Sequence, residues 1–373
     1  MLNKILIIAG EASGDIHGAE LIKEIKKTVP GTLFYGIGGD RMIAEGLEAK
    51  YHIKEMAFLG FAEVVKHLPF ILKVQRVLLD FVEQEKIEKI VLIDYPGFNL
   101  NIAKKLKKLG VKIYYYIAPQ IWAWGKKRVK KIKKRIDKMI VVFPFEEEFY
   151  KNAGIEVDFV GNPLVNKIEN YNYTPKDDFY SEYSLDIKKE ILLIMPGSRK
   201  HEIEKIFEQS IKAACKLAIE LNFQIIIACP ENIDDELFDQ YRKDYNFKII
   251  RNQSYNLMKF AKFGIIKSGT STMEAALLKL PFIVVYATSN LTYWIGRTLV
   301  KVDNLAMPNI IAGKQIVTEF IQNDLKADKI YTHIKNFLQN EKDIENMRAE
   351  LLKVKEKLGK KSAAELAAKI ICA

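Results

Sequence analysis

The sequence predicts an α/β protein of two doubly wound parallel-sheet domains that face a cleft. Short β-branched segments alternate with helical patterns along the chain. Several of these segments are apolar at nearly every position, as strands buried on both faces of a parallel sheet are. The length of 373 residues suits about two domains of ordinary size. Strand–helix alternation of this kind winds a sheet in the right-handed sense.

Segments with the strand pattern occur in both halves of the chain. They are KILIIAG, TLFYGIGG, KIVLIDYP, KIYYYIAPQ and KMIVVFPF in the first half, and EILLIMPG, FQIIIACP, KIIRN, FGIIKSG and PFIVVY in the second. The polar segment 161–190 carries Pro163 and Pro175 and is typical of a linker. We expect an N-terminal domain over 1–165, a C-terminal domain over 166–345, and a helical segment over 346–373 that packs back on the N-terminal domain.

Charge and composition narrow the class of protein. Lys and Arg number 58 against 47 acids, a net charge of +11, which favours polyanionic partners without choosing among them. No apolar stretch is long enough to span a membrane, and the apolar run near Met1 is too short for a signal peptide. For these two reasons we expect a cytoplasmic protein. The cysteines and histidines lack metal-ligand spacing, so we expect no metal site.

The turn after the first strand, residues 9–20, places polar side chains among glycines that permit close approach of a ligand. The alternative is a helix cap formed by Ser13 or Asp15. A cap needs one polar residue, and this turn has several, so we interpret it as functional. Its glycine spacing does not match a dinucleotide-binding motif. The residues concerned are Gly10, Glu11, Ser13, Gly14, Asp15, His17 and Gly18.

Asp94 ends an otherwise apolar strand, and Pro96 and Gly97 then stop that strand. A carboxylate at such a position is either a cap for the next helix or a general base. Burial would raise the pKa of Asp94 and make it a better base.

Two strand-to-helix turns in the second half offer backbone N–H groups to an anion. In the first turn, Arg199 lies at the start of a helix and suits a diphosphate, although Glu202 could pair with it instead. The second turn runs over 268–272, and Glu274 follows in the first turn of the next helix. The alternative for Glu274 is a capping box with Ser271.

Two further segments suit a lipid surface. Residues 126–135 form a basic helical pattern, for which a solvated helix face is the alternative. Residues 61–84 are strongly apolar with Lys66, Lys73 and Arg76 interleaved, for which core packing is the alternative. Trp122 and Trp124 precede the basic segment.

The motifs taken together resemble the lipid-A-disaccharide synthase family, in the family's order and over residues 6 to 322. They are AGEASGDIHGA, GIGGDRM, FLGFAEV, APQIWAW, FPFE, FVGNPL, MPGSRKHEI, SGTSTMEAALLKLPFIVVY and MPNIIAG. The resemblance implies the GT-B arrangement of two Rossmann-like domains. It also implies an inverting transfer from UDP-2,3-diacylglucosamine to 2,3-diacylglucosamine 1-phosphate (lipid X), with no metal or other cofactor. The expected location is the inner face of the bacterial inner membrane, as a peripheral protein.

Site residues follow from the resemblance together with the chemistry. Asp94 is the expected base, with Glu11, Asp15 and His17 as rivals or orienting groups. The expected substrate-binding residues are Ser13, Gly14, Asn99, Gln120, Ser198, Arg199, Ser268, Gly269, Thr270, Glu274, Asn309 and Gln322. Both substrates carry acyl chains, so residues 58–82 and 126–135 would share the task of docking on an anionic bilayer.

The chain departs from the family pattern at three positions. Gly97 stands where the family usually has a second Asp, Asn162 where it commonly has His, and Thr318 where Pro is frequent. Asp94 and Asn99 of the family pattern are present, whereas the second acid is absent at Gly97.

Two other functions compete. A UDP-GlcNAc 2-epimerase or another GT-B transferase would use the same fold on soluble substrates and would not need the apolar segment. An RNA-binding protein would use the basic segment with stacking aromatics, but the acids of the first turn oppose nucleic acid. The sequence does not define the oligomeric state.

Overall fold

The computed structural model describes residues 3–56, 67–119, 126–288, 304–359 and 361–373. The chain divides into two compact units. The N-terminal unit comprises Met1–Asn166 and Leu358–Ala373, and the C-terminal unit comprises Lys167–Lys357. The predicted boundary at 345/346 falls inside a helix of the C-terminal unit. The functional roles assigned to the two domains stay predictions.

The N-terminal unit contains a parallel sheet of seven strands in the order β3-β2-β1-β4-β5-β6-β7. Its strands are β1 (Lys4–Ala9), β2 (Leu33–Gly38), β3 (Leu47–His52), β4 (Lys89–Ile93), β5 (Lys112–Tyr116), β6 (Lys138–Val141) and β7 (Val157–Phe159). Its helices are α1 (Ala12–Thr28), α2 (Asp40–Ala44), α3 (Ile53–Met56), α4 (Leu68–Gln84), α5 (Pro96–Leu106), α6 (Lys126–Arg135) and α7 (Pro144–Asn152), with a 3-10 turn at Lys107–Leu109. The last helix of the chain, numbered below, completes this unit.

The C-terminal unit contains a parallel sheet of six strands in the order β10-β9-β8-β11-β12-β13. Its strands are β8 (Glu190–Met195), β9 (Phe223–Cys229), β10 (Lys248–Arg251), β11 (Ala261–Lys267), β12 (Phe282–Tyr286) and β13 (Glu319–Ile321). From the unit boundary onward, the helices are α8 (Pro163–Glu169), α9 (Lys176–Glu182), α10 (Lys200–Leu221), α11 (Glu236–Arg242), α12 (Ser254–Phe260), α13 (Thr270–Leu277), α14 (Met307–Ala312), α15 (Ala327–Gln339), α16 (Glu341–Lys357) and α17 (Ala363–Cys372), with a 3-10 turn at Gln322–Asp324.

Both sheets are covered on both faces, which explains their nearly continuous apolar strands. In β1, Leu6 and Ile8 join one core cluster, while Ile5 and Ile7 join the cluster on the opposite face. In the C-terminal unit, the side chains of β8 alternate between two clusters in the same way. The predicted fold class, two Rossmann-like parallel-sheet domains, is confirmed.

The final helix α17 packs in the N-terminal unit. Its buried face includes Ala367 and Ile371, and these residues share a core cluster with Leu21 and Ile25 of α1. The ammonium of Lys89 donates a hydrogen bond to the carbonyl of Ile371 at 2.8 Å. Helix α17 is therefore part of the same hydrophobic core as β1 and α1.

Gly36 offers a test of how tightly β1 and β2 are paired. It has φ of +140°, and a Cβ built on it would lie 1.9 Å from the carbonyl oxygen of Ile7. Gly36→Ala should therefore lower the free energy of unfolding by about 3 kcal/mol or more, because neither backbone can move without breaking the sheet. Urea unfolding followed by circular dichroism measures this loss.

Gly110 supplies the matched control. It also has positive φ, +74°, but no described atom lies within 4 Å of a Cβ built there. Gly110→Ala should cost only about 1–2 kcal/mol, from backbone strain alone. Equal losses for the two variants would contradict the steric argument for Gly36.

Candidate active site

The N-terminal unit has a topological switch point between β1 and β4. The chain runs outward from β1 on one side and from β4 on the other, and ligands of open parallel sheets bind beyond the strand ends at such points. Glu11 is the second residue after β1, and Asp94 follows β4 directly. The two acids interact: burial and the negative charge of Glu11 raise the pKa of Asp94 to about 6. The structure therefore brings together two of the predicted catalytic acids.

Asp94 lies in a strained turn. Its φ is +42° and that of Tyr95 is +47°, a conformation that costs non-glycine residues of the order of 1–3 kcal/mol each. Two buried donors hold the carbonyl oxygen of Asp94: the Tyr115 hydroxyl at 2.6 Å and the Asn99 amide nitrogen at 2.8 Å. Strain maintained by surrounding hydrogen bonds is typical of functional sites.

Asn99 acts on the backbone of this turn. Its side chain is completely buried, and its amide nitrogen also donates to the carbonyl of Ile93 at 3.2 Å. Among the residues that the structure describes, its Oδ1 atom has no hydrogen-bond partner. Asn99 is predicted to bind substrate, but its side chain is not exposed. The contacts that it makes hold the backbone of Asp94 in position.

Asp15 has a structural set of partners. Its carboxylate accepts hydrogen bonds from the backbone N–H groups of Gly39 at 2.7 Å, Arg41 at 3.1 Å and Met42 at 3.1 Å. A Cβ on Gly39 would lie 2.7 Å from Asp15 Oδ2. Both oxygens are thus engaged, and Asp15 joins the turn after β1 to the start of α2.

The remaining residues of the first turn surround the start of α1. The helix begins at Ala12, and Glu11 is its N-cap residue. Among the described residues, no side chain forms a capping hydrogen bond at this end of α1. The alternative that Ser13 or Asp15 caps this helix is therefore wrong. Ser13 is exposed, Gly14 packs against Ala9 and His17 is half-buried. Gln120, Trp122 and Trp124 lie outside the described residues.

Tyr95 is a site residue that the sequence did not reveal. Its ring fills the space beside Gly10, where a Cβ would lie 2.2 Å from the ring. Its hydroxyl donates to the carbonyl of Met56 at 3.2 Å. Tyr95 therefore packs against the backbone of the turn that carries Glu11. Its place after an acid that ends a strand was the only signal available in the sequence.

The C-terminal unit has its own switch point, between β8 and β11. The turns after these neighbouring strands line a cavity of about 410 Å³. Helices α10 and α13 begin in these turns, so their free N–H groups and helix dipoles favour an anion there. The predicted residues that line the cavity are Ser198, Arg199, Ser268, Gly269 and Thr270.

Arg199 is largely unpaired with the nearby acid. Its guanidinium lies 3.9 Å from Glu202 Oε1 and its side chain is 71% exposed. Glu202 instead bonds Lys267, whose Nζ lies 2.8 Å from the same oxygen. The backbone N–H of Ser198 approaches the other oxygen of Glu202 at 3.4 Å. Sequence reasoning missed Lys267, although its position at the end of an apolar strand and before the 268–272 turn was visible.

Glu274 lies in α13, and its Oε1 accepts a hydrogen bond from the Tyr255 hydroxyl at 2.8 Å. Burial and the charge of Glu274 raise the pKa of Tyr255. The capping box with Ser271 is not formed, since the N-cap residue is Gly269 and the Ser271 hydroxyl donates to the carbonyl of Lys267 at 3.3 Å. Glu274 is thus oriented by a side chain from α12.

Asn309 and Gln322 hold backbone segments. The fully buried amide of Asn309 donates to Val317 O at 2.9 Å and accepts from Val317 N at 2.9 Å. It also donates to Glu319 Oε1 at 2.8 Å, so its side chain does not reach the surface of a ligand site. Gln322 bonds both backbone groups of Thr288, the residue that precedes the segment outside the description.

The two segments predicted to meet a lipid surface are partly exposed. Helix α4 buries Val74 and Leu78 but exposes Leu68 (48%), Leu72 (49%) and Val77 (38%). The exposed basic residues of α6 include Arg128, Lys130, Lys131, Lys133 and Lys134, whereas its Ile132 is buried. Residues 57–66 lie outside the described part of the chain.

The described residues give two negative results. They contain no group of three or more His, Cys, Asp or Glu side chains that could hold a metal ion. Within the same residues, none of the helices combines the length and the apolar character that a membrane crossing requires.

Comparison with known proteins decides the family. The family model described as lipid-A-disaccharide synthetase matches residues 5–371. The chain belongs to the lipid-A-disaccharide synthase family. The lipid-A-disaccharide synthase of Geobacter metallireducens is 36% identical over 371 residues, which cover 99% of this chain and 96% of that protein. The one of Nitrosococcus oceani is 37% identical over 359 residues, which cover 95% of this chain and 92% of that protein.

Solved structures support the same fold. A UDP-N-acetylglucosamine 2-epimerase described as putative, from Listeria monocytogenes, has a TM-score of 0.65 at 12% identity and covers 100% of this chain and 95% of its own. MurG of Acinetobacter baumannii has a TM-score of 0.59 at 12% identity, with coverages of 100% and 99%. At such identities the likeness shows a GT-B-like α/β fold and does not indicate a common substrate.

Membership of the lipid-A-disaccharide synthase family confirms the predicted resemblance and the predicted class of enzyme. The chain is a glycosyltransferase of lipid A biosynthesis. The family match extends over nearly the whole chain, whereas the epimerase likeness is one of fold, so the epimerase alternative is not favoured.

The raised pKa of Asp94 has a consequence for stability. Its pKa is about 6 in the folded protein against an ordinary value of 3.8 for an aspartate, so the folded state holds the extra proton between these values. Stability should therefore fall as pH rises through this window. Asp94→Asn removes the ionised carboxylate and should raise the free energy of unfolding at pH 7.5 by about 1 kcal/mol, a figure reduced for solvent access. Urea unfolding at pH 7.5 and pH 4 tests this, because the gain should vanish at the lower pH. A gain of equal size at both pH values would contradict the assignment.

Proposed function

We propose that the chain transfers 2,3-diacylglucosamine from its UDP derivative to the 6-hydroxyl of lipid X, forming the β-1,6-linked lipid A disaccharide 1-phosphate and UDP. The family supports the formation of the lipid A disaccharide. The observation that carries the mechanism is Asp94, a half-buried acid in a strained turn whose pKa is raised to about 6. An acid of this kind accepts a proton near neutral pH.

The stereochemistry of this reaction requires two separate groups. The donor sugar is linked to UDP in the α configuration and the product is β, so a single displacement inverts the anomeric carbon. The acceptor hydroxyl loses a proton as it attacks, while the bond to the diphosphate breaks on the opposite side of that carbon. A base near the acceptor and a positive site for the leaving diphosphate are both needed.

Asp94 supplies the base in this proposal. Its carbonyl is held by Tyr115 and Asn99, and its carboxylate is made more basic by burial and by Glu11. Glu11 and His17 belong to the same end of the sheet and are orienting groups or rivals. Asp15 organises the turn through its three backbone hydrogen bonds. Gly97 is exposed and has open space around it, so the family's second acid has no replacement at that position.

The C-terminal unit supplies the site for UDP. The N-terminal ends of α10 and α13 offer N–H groups to the diphosphate, each favourable by about 0.3–1 kcal/mol. Arg199 adds an exposed cation to the same cavity. Glu274 keeps acceptor capacity beyond its bond to Tyr255 and would bind ribose hydroxyls. We expect no metal requirement, because these groups would stabilise the negative charge that develops on the leaving UDP.

The acyl chains of both substrates call for contact with a lipid surface. The exposed leucines of α4 and the exposed cations of α6 form an apolar and a basic area of the N-terminal unit. Such a combination binds anionic membranes through both apolar burial and electrostatic attraction. We propose that the protein docks peripherally on the inner face of the bacterial inner membrane.

The roles of Asp94 and Arg199 can be separated by one pair of measurements. Asp94→Asn keeps the shape of the side chain but cannot accept the proton, so kcat with lipid X should fall about 100-fold or more while UDP affinity is retained. Arg199→Ala should weaken UDP binding, measured by calorimetry, as well as turnover. Assays contain EDTA, since we expect activity to persist in it.

Glu11→Gln provides the pH control for the same experiment. Loss of its negative charge should lower the pKa of Asp94, so the acid limb of the kcat/KM profile should move to lower pH than in the wild type. An Asp94→Asn variant with most of the wild-type rate would remove Asp94 as the base and leave Glu11, Asp15 and His17 as candidates.

The membrane proposal is tested with anionic vesicles. Changing Lys130, Lys131, Lys133 and Lys134 to Gln should weaken vesicle binding at least tenfold and flatten its salt dependence, because each lysine contributes about 1 kcal/mol near a charged surface. A control with the same loss of charge uses exposed lysines of the C-terminal unit, which are Lys188, Lys243, Lys326 and Lys342. Vesicle binding that both sets reduce equally, or a wild type that ignores vesicles at low salt, would refute the docking surface.

A further inference from the structure

Lys267 is a lysine in an unusual place. It is the last residue of β11, a strand whose residues 263–266 are all buried, and its own side chain is only 18% exposed. Its Nζ lies 3.8 Å from the position that a Cβ would take on Gly269, directly beside the turn at the start of α13. The ammonium is therefore held at a helix N-terminus, where the dipole disfavours a cation and favours an anion.

Glu202 compensates part of this cost. Its Oε1 lies 2.8 Å from Lys267 Nζ, and its own side chain is only 12% exposed. Burial raises the pKa of Glu202, but the hydrogen bond and the charge of Lys267 outweigh this effect and leave the pKa below its ordinary value. Glu202 is thus ionised at neutral pH and fixes Lys267 by a charged hydrogen bond.

The charges of the cavity do not cancel. Among its described lining residues, Arg199 and Lys267 are cationic and Glu202 is the acid, which leaves one positive charge in excess. Each of the two neighbouring turns carries one cation: Arg199 precedes α10, and Lys267 precedes α13. Adjacent strands lie about 4.8 Å apart, so the two turns can bind two linked phosphate groups.

We infer that Lys267 is a second cationic ligand of the UDP diphosphate, held in place by Glu202, and that it makes this site select a diphosphate over a monophosphate. The inference rests on the proposed function, in which this cavity binds UDP. The ammonium offers three donors to phosphate oxygens. As the bond to the sugar breaks, it stabilises the charge that develops on the leaving UDP. The negative charge of the bound diphosphate then neutralises the excess positive charge of the cavity.

Calorimetric titration with UDP and with UMP tests the inference. Lys267→Met should weaken UDP binding about tenfold or more, since charge-assisted hydrogen bonds are the strong ones. UMP binding should weaken less. The Kd for UMP divided by the Kd for UDP should therefore fall. Lys267→Arg should restore most of the preference for UDP. Urea unfolding of each variant shows that the fold is retained.

Two further variants separate a ligand role from a purely structural ion pair. Lys138→Met is the matched control, because Lys138 is 19% exposed and is also paired with carboxylates, those of Glu156 and Asp158 in the N-terminal unit. UDP binding should be unchanged in this variant. Glu202→Gln keeps an oxygen that accepts from Lys267 but removes a negative charge, so UDP binding should be unchanged or tighter.

The outcomes are distinct. A Lys267→Met variant whose preference for UDP over UMP stays within twofold of the wild type overturns the inference and leaves the proposed function intact. A Glu202→Gln variant that loses UDP affinity as strongly as Lys267→Met also overturns it, since a structural ion pair predicts that result. A wild type that binds neither nucleotide refutes both the inference and the proposed function.

Discussion

Parallel strand pairing is the constraint on which the rest of this structure depends. Every described strand pair in both sheets is parallel, so the carboxyl ends of the strands in each sheet lie along one edge. Polar turns that are far apart in sequence are thereby collected at that edge. Glu11 and Asp94 interact for this reason although 83 residues separate them, and the same pairing places Arg199 beside the turn that follows Lys267. The chemistry of each unit follows from which turns lie next to the switch point.

The two switch points have opposite electrostatic character. In the N-terminal unit, acids lie close together and raise a carboxyl pKa, which favours proton transfer. In the C-terminal unit, two helix N-termini and two cations outweigh the one carboxylate among the described residues that line the cavity, which favours a bound anion. An inverting transfer from a nucleotide sugar needs both properties, and they would weaken each other if they shared one turn. In this chain each property belongs to a separate sheet.

The sequence alone predicted the fold class, the basic helix and the turns that line both switch points. Apolar strands and glycine-rich turns are local patterns, so they can be read without knowledge of distant residues. The tasks of individual polar residues were harder to predict. Asp15 finds its partners at Gly39, Arg41 and Met42, and Asn309 is satisfied by the backbone around Val317. Lys267 donates a hydrogen bond to Glu202, which is 65 residues away in the sequence. Such pairings depend on tertiary hydrogen bonds that no local pattern encodes.

The position of α17 affects how the chain folds as it is synthesised. The C-terminal unit, Lys167–Lys357, is one continuous stretch inserted into the N-terminal unit, whose helix α17 is synthesised after it. Domains generally fold as units, with N-terminal ones first during synthesis. Here the N-terminal unit is completed last, because Ala367 and Ile371 of α17 complete the core cluster that contains Leu21 and Ile25 of α1. Until α17 is synthesised, this apolar face of α1 lacks its cover, and the C-terminal unit is complete before the N-terminal unit.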